Sequence, residues 1–185
     1  MKYTKKEVFS IPNCLGYFRI LLIPVFIFLY VKAETKSDYH MAAGIILLSG
    51  FTDFLDGFIA RTFRQITELG KALDPIADKL TQGAIIIALM FKIEKMWMLV
   101  LFFICKEAFM GINGFLLLRR GKRLDGAMWF GKVSTAVFYL CTFVLICFPS
   151  LPYAAVISLM LVTAFFLALS FLLYIPVFAR MYKRV

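Results

Sequence analysis

The sequence predicts an all-α, polytopic membrane protein with six transmembrane helices, a short N-terminal interfacial helix and both termini in the cytoplasm. Three observations predict it. Of 185 residues, 62% are hydrophobic and 21 are Phe, with a mean hydropathy of +0.87, whereas a soluble domain is about half apolar. The apolar residues fall in runs of about 20, the helix length that crosses a ~30 Å hydrocarbon core. The basic residues gather in alternate gaps between those runs. This composition excludes a disordered chain, which would be polar, and a disulfide scaffold, for which four cysteines are too few. The length suits one domain, residues 1–185.

Residues Lys2 to Ser10 form the expected interfacial helix, with Tyr3 and Phe9 as apolar anchors. The first span runs from Ile11 to Val31. Lys2, Lys5 and Lys6 ahead of it imitate a signal peptide, but the run contains Arg19 and lacks a small-residue cleavage site. It is therefore expected to be a retained helix, with Arg19 near its cytoplasmic end and able to snorkel. The later spans run from Tyr39 to Ala60, Ala72 to Phe91, Met96 to Leu118, Gly131 to Phe148 and Pro152 to Phe178. One side of the membrane receives Lys2, Lys5, Lys6, Arg61, Arg64, Lys71, Arg119, Arg120, Lys122, Arg123, Arg180, Lys183 and Arg184. The other receives only Lys32, Lys36, Lys92 and Lys95. The positive-inside rule puts the richer side in the cytoplasm. The net charge of +10 is then a matter of topology and anionic lipid, not of nucleic acid. His40 is expected at the outer interface. Cys14, Cys105, Cys141 and Cys147 form no CxxC, so no metal or redox role is assigned to them.

Four carboxylates interrupt the apolar pattern. Asp53 and Asp56 are three apart, Asp74 and Asp78 four apart, so each pair shares a helix face. A carboxylate at mid-bilayer costs about 2.5–3.5 kcal/mol on insertion scales. Wet residues at frayed helix ends are the plain alternative, but intramembrane ionisable groups are functional by default. The second helix descends toward the cytoplasm and the third leaves it, which puts all four near the cytoplasmic ends of antiparallel neighbours. Like charges at close range in a low dielectric call for protonation or a divalent ion. Oxygen donors favour Mg²⁺ or Mn²⁺, and a pair of ions suits phosphoryl chemistry. Gly57 leaves room for a ligand or a neighbouring backbone, and Gly70 opens the third helix; helix packing alone also accounts for both. Arg61, one turn beyond Gly57, binds phosphate or anchors the interface. Pro75 suits a helix start or a kink.

The run from Asp53 to Asp78, DFLDGFIARTFRQITELGKALDPIAD, resembles the signature of the CDP-alcohol phosphatidyltransferases: DxxDGxxAR, eight residues, then GxxxDxxxD. It matches at Asp53, Asp56, Gly57, Ala60, Arg61, Gly70, Asp74 and Asp78. The resemblance implies an enzyme that moves a substituted phosphate from a CDP-linked lipid to an alcohol and releases CMP, on a six-helix membrane fold that is usually a homodimer. It implies that Asp53, Asp56 and Asp74 hold two divalent ions. Asp78 would also touch that metal site and serve as general base on the acceptor hydroxyl. Gly57, Ala60, Arg61 and Gly70 would serve the CDP-lipid, and Asn13 and Thr52 stand where relatives often contact the nucleotide or its phosphates.

The stretch LDPIADK, Leu73 to Lys79, resembles the phosphatidylglycerophosphate and cardiolipin synthases of the family, as do Ile11-Pro12-Asn13 and Arg19-Ile20. Serine- and inositol-type relatives more often carry Ser where Pro75 stands. The implied donor is CDP-diacylglycerol. Glycerol 3-phosphate is the first-choice acceptor, and phosphatidylglycerol, giving cardiolipin, is the runner-up. A phosphorylated acceptor needs cations, and Lys106, Arg119 and Lys132 are the candidates. Lys106 lies inside a span, where an unpaired cation is costly. Glu107 adjoins it, but neighbours in a helix do not face each other, so no simple mutual salt bridge is expected. Arg120, Lys122 and Arg123 serve equally as positive-inside anchors. There are departures: Lys106-Glu107 stands where these synthases usually have Arg-Glu. The run GKVSTAVFY, Gly131 to Tyr139, keeps Gly131, Lys132 and Thr135 of a GKxKTxxQ-like pattern but lacks its second Lys and its Gln. Outside the family, a carrier or channel with an acidic intramembrane site is the rival, although carrier sites favour the midplane. A catalytically dead scaffold is opposed by the intact Asp set. Six spans without a cleaved leader suit a bacterial inner membrane, with the site on the cytoplasmic face.

Overall fold

The computed structural model describes residues 8–121 and 128–183. Among them every regular element is a helix: α1 Ile11–Lys32, α2 Lys36–Thr62, α3 Glu68–Met90, α4 Met96–Arg119, α5 Trp129–Cys147 and α6 Tyr153–Lys183. The expected interfacial helix lies outside the described residues except for its last three, as do Lys122, Arg123 and Arg184.

Side-chain caps set the helix starts that hydropathy misplaces. α2 begins three residues before the expected span because Thr35 and Asp38 form a capping box. The Thr35 N–H donates to Asp38 Oδ2 at 2.8 Å, and the Asp38 N–H donates to Thr35 Oγ1 at 3.3 Å. α3 begins four residues early because Thr67 caps it, its Oγ1 accepting from the Gly70 N–H at 2.9 Å. The turn between them closes on Arg64, which has a φ of 53°. The Gln65 N–H donates to the Ala60 carbonyl at 3.0 Å, the Schellman pattern that usually recruits glycine at this left-handed position.

Five helices (α1, α2, α4, α5 and α6) are long and apolar enough to cross a membrane. α3 is not among them, although the sequence expectation was six spans. Glu68, Lys71, Asp74, Asp78 and Lys79 fill its first half, and it is largely apolar only from Leu80 onward. Leu21, Phe51, Leu101, Leu140, Leu161 and Phe165 are each more than half exposed. In water such outward-facing bulk would be a liability; against lipid it is the favourable arrangement. The chain is an integral membrane protein.

The chain divides into two compact units, Met1–Lys92 with Ile146–Pro149, and Ile93–Leu145 with Ser150–Val185. In the first, α1 packs against both α2 and α3. Its buried stripe is Asn13, Gly16, Arg19, Leu22, Phe26 and Tyr30. A Cβ on Gly16 would lie 2.7 Å from Leu73 Cδ2, so the bare glycine is what lets Leu73 seat against α1. At the other end of the unit, the Lys92 ammonium donates to the Ala33 carbonyl and, at 3.0 Å, to Tyr39 Oη. It also sits 4.8 Å above the Tyr39 ring.

In the second unit α4 packs on α6, and a buried cluster of Leu117, Phe130, Tyr174 and Phe178 draws in the start of α5. The Met128 N–H donates to Tyr174 Oη at 3.2 Å. A Cβ on Gly131 would fall 2.5 Å from that oxygen, so the glycine of the GKVSTAVFY run has a packing reason. Tyr182 Oη donates to Asn113 Oδ1 at 3.1 Å. The cysteines are free thiols.

Candidate active site

The C-terminal half of α2 presents Asp53 and Asp56, and the first half of α3 presents Asp74 and Asp78. The four predicted carboxylates lie in one unit: Asp53 is within electrostatic reach of Asp56, Asp74 and Asp78, and Asp56 is within reach of Asp74. Asp56 is buried, whereas the Asp53 side chain is 53% exposed.

A fifth charge stands among them. Arg19 of α1 is 2% exposed; its Nη1 lies 2.5 Å from Asp53 Oδ1 and its Nη2 pairs with Asp56 Oδ2. This corrects the expectation that Arg19 snorkels. A guanidinium in a low-dielectric interior needs either water or an anion. Here Asp53 and Asp56, on one face of the neighbouring helix, offer two anions at closer range.

Asp78 is half-buried, and Gln82 one turn later is 2% exposed. Gln82 Nε2 approaches Asp78 Oδ2 at 3.5 Å, while Lys79 Nζ donates to Gln82 Oε1 at 3.4 Å. Pro75 lies inside α3, not at its start. It removes one backbone donor beside Asp74 and so leaves the Lys71 carbonyl without its helical partner.

The residues expected at the nucleotide divide into two groups. Asn13, Thr67 and Gly70 form a tight junction between α1 and the start of α3. Thr67 Oγ1 donates to Asn13 Oδ1 at 3.1 Å, and a Cβ on Gly70 would come within 2.7 Å of Asn13 Oδ1 and 3.0 Å of Thr67 Oγ1. Gly70 thus has a structural reason to be glycine. Thr52 is buried and donates to the Ser49 carbonyl at 2.7 Å, so its hydroxyl hydrogen serves its own helix. Gly57 differs from Gly70: the three atoms nearest a Cβ there would all belong to the Arg61 side chain, at 3.6–3.9 Å. Ala60 is half-buried and Arg61 exposed. Beside Thr67 opens a cavity of about 390 Å³, part polar, lined by Phe9, Ser10, Ile11, Arg64, Gln65 and Ile66.

For a divalent ion the donor chemistry is right, because all four carboxylates are hard oxygen ligands. As they stand, no three acidic, histidine or cysteine side chains among the described residues converge on one point. Two of the four are engaged by Arg19.

The predicted acceptor cations lie in the other unit. Lys106 is 6% exposed and donates to Glu107 Oε1 at 2.7 Å. This corrects the expectation that the two adjacent residues do not pair. The rule describes Cβ directions, but a lysine stem is long enough to wrap sideways, and low dielectric rewards the contact. Arg119 ends α4 with its guanidinium 4.6 Å from the Phe115 ring. Lys132 is exposed in the first turn of α5.

The CDP-alcohol phosphatidyltransferase family model matches residues 9–178. The chain belongs to the CDP-alcohol phosphatidyltransferase family. It is 36% identical over 131 residues to the CDP-diacylglycerol–glycerol-3-phosphate 3-phosphatidyltransferases of Escherichia coli K12, Escherichia coli O157:H7 and Shigella sonnei, covering 69% of this chain and 71% of each relative. The family signature is thus the segment that joins α2 to α3 and frames the acidic site. Two residues that contact the acidic site are not among the candidates read from the sequence. Gln82 was detectable, since it lies four after Asp78 and is a polar side chain in the apolar half of α3. Arg19 was noticed, but its partners 34 and 37 positions away were not.

Proposed function

We propose that this phosphatidyltransferase moves the phosphatidyl group of CDP-diacylglycerol to the hydroxyl of glycerol 3-phosphate and releases CMP. The observation that carries the reading is the complete signature from Asp53 to Asp78, its four carboxylates in one unit with Asp53 within reach of the other three. The names of the relatives, all glycerol-3-phosphate enzymes, support the choice of acceptor.

In this proposal Asp53, Asp56, Asp74 and Asp78 hold Mg²⁺ or Mn²⁺, with two ions as the expected number. Divalent ions bound there supply the positive charge that neutralises the donor diphosphate and the departing CMP. Asp78 accepts the proton of the acceptor hydroxyl as its oxygen attacks the phosphatidyl phosphorus, and the bond from that phosphorus to CMP breaks. Gln82 steadies Asp78. Gly57 and Ala60 keep the wall of α2 low for the donor, and exposed Arg61 meets its phosphate. Asn13, Thr52 and Gly70 shape the same region, and the cavity beside Thr67 accommodates part of the nucleotide. Lys106, Arg119 and Lys132 provide the positive charge that a phosphorylated acceptor needs.

The proposed setting is a bacterial inner membrane. α3 serves as a sixth span, both termini and the site lie on the cytoplasmic side, and the chain works as a homodimer. Purified protein with CDP-diacylglycerol and Mg²⁺ or Mn²⁺ tests the activity. CMP release is measured with glycerol 3-phosphate, phosphatidylglycerol, serine, inositol and inositol phosphate in separate reactions. Release with glycerol 3-phosphate alone is the expected result. Release with phosphatidylglycerol alone would reassign the chain to cardiolipin synthesis. No release with any of them would overturn the proposal.

A further inference from the structure

The acidic site contains its own cation. Arg19 is 2% exposed and spans the carboxylates of Asp53 and Asp56 with its two terminal nitrogens. Asp74 also lies within its electrostatic reach. The oxygens it holds are those that a divalent ion using Asp53 and Asp56 would compete for, and an incoming ion meets positive charge at contact distance.

We propose that Arg19 is a built-in counter-cation, which holds Asp53 and Asp56 together when no metal is bound and which a divalent ion must displace from them in order to bind. Arg19 is thus a positioning residue that sets metal affinity. It keeps four carboxylates from repelling one another apart, at the cost of weaker metal binding. The inference rests on the reading that these carboxylates hold Mg²⁺ or Mn²⁺.

The test is Mn²⁺ binding to the full detergent-solubilised chain, without donor or acceptor, followed by the loss of the free-ion electron paramagnetic resonance signal. The proteins are wild type, Arg19→Lys, Arg19→Met and Asp56→Asn, each also melted with and without Mn²⁺. Arg19→Met is expected to bind Mn²⁺ at least about tenfold more tightly than wild type, because a like charge has left the site. It should also gain more in Tm from the ion, and Arg19→Lys should fall between the two. If Arg19→Met folds only when purified with Mn²⁺, the ion is replacing the lost cation and the proposal stands. If it does not fold at all, Arg19→Lys decides, with tighter binding than wild type in support and equal or weaker binding against. Equal or weaker binding by folded Arg19→Met overturns the proposal and makes Arg19 an ally of the ion. The metal reading fails in a different way. Wild type, Arg19→Lys and Arg19→Met would then all leave the Mn²⁺ signal untouched, as Asp56→Asn would, and the proposal would fall with it.

Discussion

In a Gly57→Ala variant the new Cβ would find Arg61 Nη2 at 3.6 Å as its nearest neighbour, with Arg61 Cζ and Nη1 at 3.9 Å. These are ordinary contact distances at the end of a flexible, exposed side chain, so the protein itself loses no packing. α2 should gain, since alanine is better than glycine in a helix interior by about 0.5–1 kcal/mol. For a chain of this length such a gain raises Tm by about 2–4 °C per kcal/mol. If Gly57 is there to let CDP-diacylglycerol approach α2, the same methyl group intrudes on the donor. Overpacking of that kind costs about 1–3 kcal/mol, which is roughly five- to 150-fold in kcat/KM for the donor. The assay pairs a melt in detergent without substrate with CMP release across a range of CDP-diacylglycerol in mixed micelles. Higher Tm with lower kcat/KM is the expected result. Unchanged kcat/KM would show that the donor does not pass over Gly57, and lower Tm would show that the glycine serves the fold after all.

Gly70→Ala should do the opposite: a Cβ 2.7 Å from Asn13 Oδ1 and 3.0 Å from Thr67 Oγ1 should destabilise the substrate-free protein by about 1–3 kcal/mol, read as a lower Tm. Adding Asn13→Ala to that variant should recover part of the loss, a non-additivity that a double-mutant cycle measures. Asp78→Asn should lower kcat by about 10²–10⁴-fold as the proton acceptor is lost, with a much smaller change in the donor KM. Glu107→Gln should lower Tm by removing the carboxylate 2.7 Å from the Lys106 ammonium; adding Lys106→Met should recover part of that loss while raising the KM for glycerol 3-phosphate. Lys92→Ala removes its contacts with Ala33 and Tyr39 and should destabilise the protein by about 1–2 kcal/mol, read as a lower Tm, leaving CMP release per folded molecule unchanged.

Helix existence was legible because each apolar run can be buried, in lipid, only as a helix whose backbone bonds are internal. The ends were less legible where a polar cap, not hydropathy, decides them. Thr35 with Asp38, and Thr67, lengthen α2 and α3 into segments whose composition alone resembles loop. The four aspartates were legible as a group because their spacings of three and four are local properties of two helices. The state of those aspartates was not. The pairing of Arg19 with Asp56 spans 37 positions, and a hydropathy profile treats an arginine in an apolar run as a cost, without indicating which anion meets it. Lys106 and Glu107 show the reverse error, in which a sound local rule about Cβ directions was extended to side chains long enough to evade it.

The buried face of α1 shows what would have revealed more. Asn13, Gly16, Arg19, Leu22, Phe26 and Tyr30 recur at intervals of three and four residues along one stripe, the pattern of a helix packed on neighbours. Amphipathicity conceals it, because both the lipid-facing and the protein-facing sides are apolar. In a membrane helix the inward direction is marked instead by the few residues that lipid would not tolerate or would have no reason to select. On α1 these are one amide, one glycine and one guanidinium, and each meets a different part of the signature segment or its flank: Asn13 the cap of α3, Gly16 the side chain of Leu73, and Arg19 the paired carboxylates of α2. The first helix is therefore the template on which the acidic site is assembled, although none of its residues belongs to the signature itself.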